Sequence, residues 1–133
     1  MPKHAAATFA IKSWDEKPYN EMPAVPKLTR GSVTKSYQGD ITGEGKAEYL
    51  MMYRDDGSAT FIGLERVAGA VSGRSGSFVL QHTGTFEGGV ATTALSVVPG
   101  SGTEGLRGMK GEGRFAVGHE PPYQMTLDYG LEE

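Results

Sequence analysis

The chain contains no cysteine. That single absence removes disulfides, thiolate metal ligands and cysteine nucleophiles together. Its one asparagine, Asn20, is followed by Glu21-Met22, so there is no glycosylation sequon. No apolar run approaches the length of a membrane span, and Met1-Pro2-Lys3-His4 opens no signal-peptide core. A cytoplasmic protein with no membrane association is the expectation. The formal charge is −3 with no basic cluster, so the footprint of a nucleic-acid binder is missing and no such partner is expected. Helix-favouring runs are also almost absent. What is plentiful is glycine, 20 of 133 residues, punctuating short alternating segments. A chain of this length is most simply one domain, residues 1–133, with one core.

The segments read as eight strands. Ala5–Trp14 alternates through Ala5, Ala7, Phe9 and Ile11, and the three prolines of Asp15–Pro26 mark a surface loop. Lys27–Gly39 resumes strand character with Leu28, Val33 and Tyr37. The next strands are Lys46–Arg54, Ser58–Val71, Gly76–Glu87, Val90–Val98, Lys110–Val117 and Tyr123–Leu131. Regular short strands with turn signals predict an all-β, eight-stranded antiparallel barrel, with a β-sandwich as the alternative. The barrel is preferred because consecutive hairpins can close the sheet and remove its edges.

Two hairpins set the chemistry. A two-residue Asp56-Gly57 turn flanked by Asp55 and Ser58 places Glu48 opposite Glu65, Leu50 opposite Gly63 and Met52 opposite Phe61. A Gly73-Arg74 turn flanked by Ser72 and Ser75 places Glu65 opposite His82. With Glu87 and Val90 flanking Gly88-Gly89, Leu95 faces His82. The row Glu48, Glu65, His82 then shares a face with Leu50, Phe61, Val67, Phe78, Leu80 and Leu95, whereas the other face of the fifth and sixth strands carries Gln81, Thr83, Thr85, Thr92 and Ser96. The first face is therefore expected inside. Two carboxylates directly opposite one another repel, and burial raises their pKa. One protonated and one ionised group beside an imidazole make an acid–base pair near neutral pH.

Glu48-Tyr49-Leu50-Met51, Phe61–Arg66, Gly73–His82 and Val97–Thr103, with Ser13-Trp14-Asp15 and Leu127-Asp128-Tyr129, resemble the bacterial family catalogued as domain of unknown function 3224. The resemblance covers nearly the whole chain. It implies an eight-stranded barrel similar to allene oxide cyclase, whose apolar cavity folds an unsaturated fatty-acid epoxide for ring closure, but it implies no reaction for this chain. Leu95 departs from the aromatic residue expected there and leaves more room beside the polar row.

The resulting expectation is a small-molecule-binding barrel acting as a cofactor-free isomerase or cyclase on an apolar substrate. Glu65 is base, His82 its proton partner and Glu48 the modulator or acid. Leu50, Phe61, Leu80, Leu95, Tyr37 and Trp14 contact the ligand. The rivals are a non-catalytic carrier or sensor, and a buried network, involving Arg30, that only holds strand register. A metal on the three polar residues lacks a diagnostic spacing, and neither metal nor cofactor is expected. Gly100–Gly105 matches a dinucleotide fingerprint literally, but the glycines that follow supply no helix, so it is read as a loop. His4 and His119 are expected in solvent, and Ser75 and Ser77 lack a partner base. The same register places Tyr49, Met51, Tyr53, Ile62 and Leu64 outside as one apolar patch, predicting a homo-oligomer.

Overall fold

The computed structural model describes residues 3–117 and 123–131. Among them, eight strands close into an antiparallel barrel in sequence order. They are β1 (Lys3–Asn20), β2 (Lys27–Gly39), β3 (Ile41–Tyr53), β4 (Ala59–Val71), β5 (Arg74–Glu87), β6 (Val90–Val97), β7 (Lys110–Val117) and β8 (Tyr123–Gly130). β8 returns to pair with β1 from Lys3↔Tyr129 to Phe9↔Tyr123. The barrel is thus the architecture present, and the sandwich is not. Among the described residues no helix is long and apolar enough to cross a membrane. The Gly118–Pro122 connection and His119 lie outside the described residues.

The proline-rich stretch is not the surface loop expected. β1 runs on to Asn20 and pairs with β2 as far as Asn20↔Leu28, leaving only residues 21–26 to turn. Past Phe9 this arm has no β8 partner among the described residues. An edge strand tolerates Pro18, which cannot donate to a ladder. Register shifts between Ile11 and Ser13, and between Pro18 and Asn20, bend it. After β6 the chain makes one 3-10 turn, Glu104–Leu106, which buries Leu106. No helix follows Gly100–Gly105, in line with the loop reading of that motif.

The interior divides into two apolar clusters. The larger takes Ala5, Ala7, Phe9, Ile41, Val67, Phe78, Leu80, Leu95, Leu127 and their neighbours from all eight strands, together with Leu106 and Met109. The smaller is Val33, Ala47, Tyr49, Met51 and Phe61.

Membership of the second cluster overturns the expected register of β3. Arg54 N–H donates to Ser58 O at 2.8 Å and Gly57 N–H to Arg54 O at 3.0 Å, so Asp55-Asp56-Gly57 is a three-residue loop. Gly57 takes the positive φ of +87° that such a loop needs at its last position. One extra loop residue slips the pairing by one, giving Ala47↔Glu65, Glu48↔Leu64 and Leu50↔Ile62. A one-residue slip moves every side chain of β3 to the other face. Glu48 and Leu50 therefore point outward, while Tyr49 and Met51 are buried. Tyr53 is half-buried, and Ile62 and Leu64 stay exposed beside Leu50. The five-residue outer patch expected from the sequence is thus divided between two faces.

The second hairpin also differs, but harmlessly. It turns at Ser72-Gly73, both at positive φ (+47° and +86°), and pairs Glu65 with Leu80. This is a slip of two, which preserves faces, so Glu65, Phe61 and His82 remain inside. Leu95 does face His82, as the third hairpin predicted.

The corrected register makes an energetic prediction. Met51→Ala deletes a buried side chain and should destabilise by about 2 kcal/mol, whereas Leu50→Ala on the outer face should cost less than about 1 kcal/mol. Urea denaturation of the two variants measures the contrast, and the opposite ranking would put Leu50 inside and Met51 outside.

Candidate functional site

Alternation along β2 buries Val33, Lys35 and Tyr37 in turn, and so carries a cation into the barrel. Lys35 is 2% exposed. It meets Glu65, from the interior face of β4, with Nζ 3.1 Å from Oε1. Tyr37 Oη donates to Glu65 Oε2 at 2.6 Å. His82 Nε2 lies 2.8 Å from Glu65 Oε1. The remaining partner is Tyr49, whose Oη receives a hydrogen bond from Lys35 Nζ at 2.8 Å and stands 3.4 Å from His82 Nδ1.

Two glycines make room for this cluster. A Cβ on Gly45 would collide with Glu65 Oε2 and come within 2.9 Å of the Tyr37 ring. Gly63 lies in register between Tyr49 on β3 and His82 on β5. With no side chain there, the two rings meet edge to face at 5.2 Å, and a Cβ would stand 2.6 Å from Tyr49 Cδ1.

The electrostatics assign the protons. Burial pushes the Glu65 carboxyl up, but the adjacent Lys35 charge and the bonds from His82 and Tyr37 outweigh it and hold the pKa at about 2. Glu65 is therefore an ionised acceptor. Burial lowers the pKa of Lys35, with Glu65 working against the shift. Burial also lowers that of His82, against its bond to Glu65, and the Lys35 charge adds to the lowering. A neutral His82 that donates from Nε2 leaves Nδ1 as an acceptor turned toward the Tyr49 hydroxyl. Burial and the Glu65 charge raise both Tyr37 and Tyr49, so each phenol keeps its proton.

Above this cluster lies a cavity of about 260 Å³. Its walls are Phe9, Ile11, Trp14, Tyr49, Met51, Tyr53, Ala59, Phe61, Phe86, Ala91 and Phe115, and Lys35 completes them. Among the described residues, Lys35 is the charged member of the lining. Its Nζ lies 5.0 Å from the Phe9 ring centre, 5.1 Å from that of Phe115 and 5.5 Å from that of Tyr49. Since all three rings line the cavity, the ammonium sits at its inner end. At the rim, the Trp14 ring stacks over Tyr49 at 6.2 Å. Glu16 ties the rim together, accepting from Trp14 Nε1 at 3.0 Å, Thr29 Oγ1 at 2.7 Å and Tyr53 Oη at 2.5 Å.

Of the expected site residues, Glu65 and His82 are adjacent and fully buried. Glu48 is not with them. It is exposed on the outer face, 2.9 Å from the Arg30 guanidinium, where bonds from Ser32 and Arg30 lower its pKa. The carboxylate pair expected to repel is replaced by a carboxylate–ammonium pair, so Glu65 is lowered rather than raised. Arg30 lies outside the buried network because alternation along β2 buries Thr29 and Gly31 and turns Arg30 outward. The metal reading loses Glu48 as a ligand, and among the described residues no group of three His, Cys, Asp or Glu side chains converges as a metal site. Of the six ligand contacts expected, Phe61 and Trp14 line the cavity, and Tyr37 bonds to Glu65. Leu80 and Leu95 pack in the larger apolar cluster, and Leu50 faces outward. His4 is exposed, with Nδ1 2.8 Å from Asp128. The residues missed are Lys35 and Tyr49. The signal for Lys35 was present, since it alternates with Val33 and Tyr37.

Fold and site together define a small closed barrel with a polar network buried beneath an apolar cavity. The chain belongs to the family described as "Protein of unknown function (DUF3224)", whose model matches residues 5–129. It is similar to a protein of unknown function from that family in Shewanella oneidensis MR-1, known from a crystal structure, with 26% identity, a TM-score of 0.81 and full coverage of both chains. No match was found among curated proteins.

The buried groups predict the acid limb of stability. A His82 held neutral in the fold takes up a proton more readily when unfolded, so stability falls as pH drops below its ordinary value of 6.5. Glu65 adds a second loss that begins below its ordinary 4.5 and is complete at about 2. Thermal melts across this range should show both losses, and His82→Gln should flatten the first while the second, still held by Lys35 and Tyr37, persists in reduced form.

Proposed function

We propose that this barrel binds a small, mostly apolar molecule carrying one hydrogen-bond-accepting group. The observation that carries the reading is the cavity itself, an aromatic and aliphatic wall with a single ammonium, Lys35, at its inner end. Such sites fix a ligand's orientation through few polar groups while the wall supplies affinity. Lys35 and Tyr49 are the polar groups within the lining that reach the floor. A volume of about 260 Å³ suits a compact ligand, on the scale of one or two rings or a short chain.

A second reading, a cofactor-free isomerase or cyclase, is favoured by one arrangement. Tyr49 lines the cavity with a protonated hydroxyl, and His82 Nδ1 stands behind it as an acceptor. That pair can pass a proton between the cavity and the buried network. Glu65 does not line the cavity, so it does not reach a bound substrate as a base. On this reading Tyr49 is the catalytic acid and Glu65 a positioning residue. Without turnover, the same cavity is that of a carrier or sensor.

Trp14, the chain's one tryptophan, lines the cavity and reports its occupancy. Titration with a compact aryl alcohol such as cinnamyl alcohol should quench or shift its fluorescence saturably. Ala91→Phe, which fills space from the wall, should weaken binding roughly tenfold, equivalent to about 1.4 kcal/mol. Unsaturable or unchanged fluorescence refutes the binding reading. Native mass spectrometry of protein from its own host would then identify any retained molecule.

A further inference from the structure

We propose that Lys35 forms an imine with a compact aromatic or unsaturated aldehyde bound in the cavity. The inference rests on the cavity being a binding site and names both the class of ligand and the atom that captures it. Three observations carry it. Lys35 Nζ sits at the inner end of an apolar cavity, within about 5 Å of the Phe9 and Phe115 ring centres. A proton acceptor, Glu65, lies 3.1 Å from it, and a phenol that can hydrogen-bond a carbonyl oxygen, Tyr49, lies 2.8 Å from it. Burial favours the neutral amine that such a reaction requires.

The protons and charges balance within these groups. Lys35 passes one proton to Glu65, and the free amine forms a C–N bond to the carbonyl carbon as the C=O π pair moves to oxygen. A proton then moves from nitrogen to that oxygen, giving a neutral carbinolamine. Glu65 returns its proton to the hydroxyl, the C–O bond breaks, water leaves, and the nitrogen lone pair closes the C=N bond. The sum is ammonium plus aldehyde to iminium plus water. The iminium carries the positive charge, so Glu65 is paired again at the end of the sequence. An imine here therefore does not strand a buried carboxylate, as loss of the lysine charge would.

The test uses the full chain with cinnamaldehyde, and with cinnamyl alcohol as a probe of the same shape that cannot form an imine. Each is followed by Trp14 fluorescence, and the aldehyde sample is then treated with sodium borohydride and mapped by peptide mass spectrometry. The expected result is binding of both probes and a reduced adduct on Lys35. It should form about tenfold faster there than on Lys3, Lys12, Lys17, Lys27, Lys46 or Lys110, because only Lys35 is desolvated beside a proton acceptor. Lys35→Arg keeps a cation beside Glu65 but cannot form the imine, and it should lose that adduct. If the variant does not fold, the distribution of adducts over the wild-type lysines decides alone. Binding of both probes with no preference for Lys35 overturns the imine and leaves the cavity reading standing. No binding of either probe overturns both.

Discussion

The Lys35–Glu65 pair is the constraint around which the interior of this barrel is arranged. Either charge alone inside an apolar barrel would cost several kcal/mol even after relaxation. Together they sum to zero, and the remaining valences of the carboxylate go to Tyr37 and His82 at 2.6 and 2.8 Å. Tyr49 takes the lysine's second bond and turns toward the free nitrogen of His82. Four successive strands, β2 to β5, contribute to one network, which fixes their mutual register. Stability alone is a weak reason for keeping it. An apolar group of the same volume often serves as well as a buried ion pair, whereas removing one partner is costly. The two ends of the pair also differ in place. Glu65 is sealed, while Lys35 and Tyr49 reach the cavity lining.

Space for the network comes from backbone rather than from voids. An eight-stranded barrel has an interior that side chains just fill, and five polar side chains in one layer exceed what a full complement of inward neighbours would permit. Gly45 yields its volume to the Glu65 carboxylate, and Gly63 yields its own to the meeting of Tyr49 and His82. Both positions are interior and open no turn. Their glycines are explained by what stands over them, not by φ. Toward the rim, where β1 continues beyond Phe9↔Tyr123, the interior opens into the cavity.

The strand count, the barrel, and the inward placement of Glu65 and His82 were legible because alternation along β4 and β5 is clean. β3 was not legible in this way. Tyr49-Leu50-Met51-Met52-Tyr53 is apolar at every position, so composition cannot say which face is inside. The decision fell to the length of the Asp55–Gly57 loop, where two residues and three fit the same letters, and the wrong choice inverted the strand. Every misplaced site residue on β3, from Glu48 and Leu50 to Tyr49 and Met51, follows from that one residue. The β4–β5 turn also differs from the expected one, but by an even number of residues, so the faces are kept. Lys35 was overlooked for a different reason. Alternation puts Lys35 on the face of Val33 and Tyr37, but burying a lysine there needs a counter-charge, and that comes from β4, 30 positions along the chain.

The mouth and the floor of the cavity are polar in different senses. At the rim, Glu16 accepts from Trp14, Thr29 and Tyr53, and those bonds lower its own pKa despite partial burial while the Tyr53 hydroxyl is pushed up to about 12. The three rim donors are therefore already engaged with one another's acceptor, and what the rim offers a ligand is the apolar faces of its rings. At the floor, Lys35 has three protons and two protein acceptors, Glu65 and Tyr49. Among the described residues the third donor has no hydrogen-bond acceptor, and the ammonium lies over the rings of Phe9, Tyr49 and Phe115. On the proposed reading, a ligand with a single oxygen atom is therefore oriented with that atom inward, because the floor has a donor to give and the rim does not.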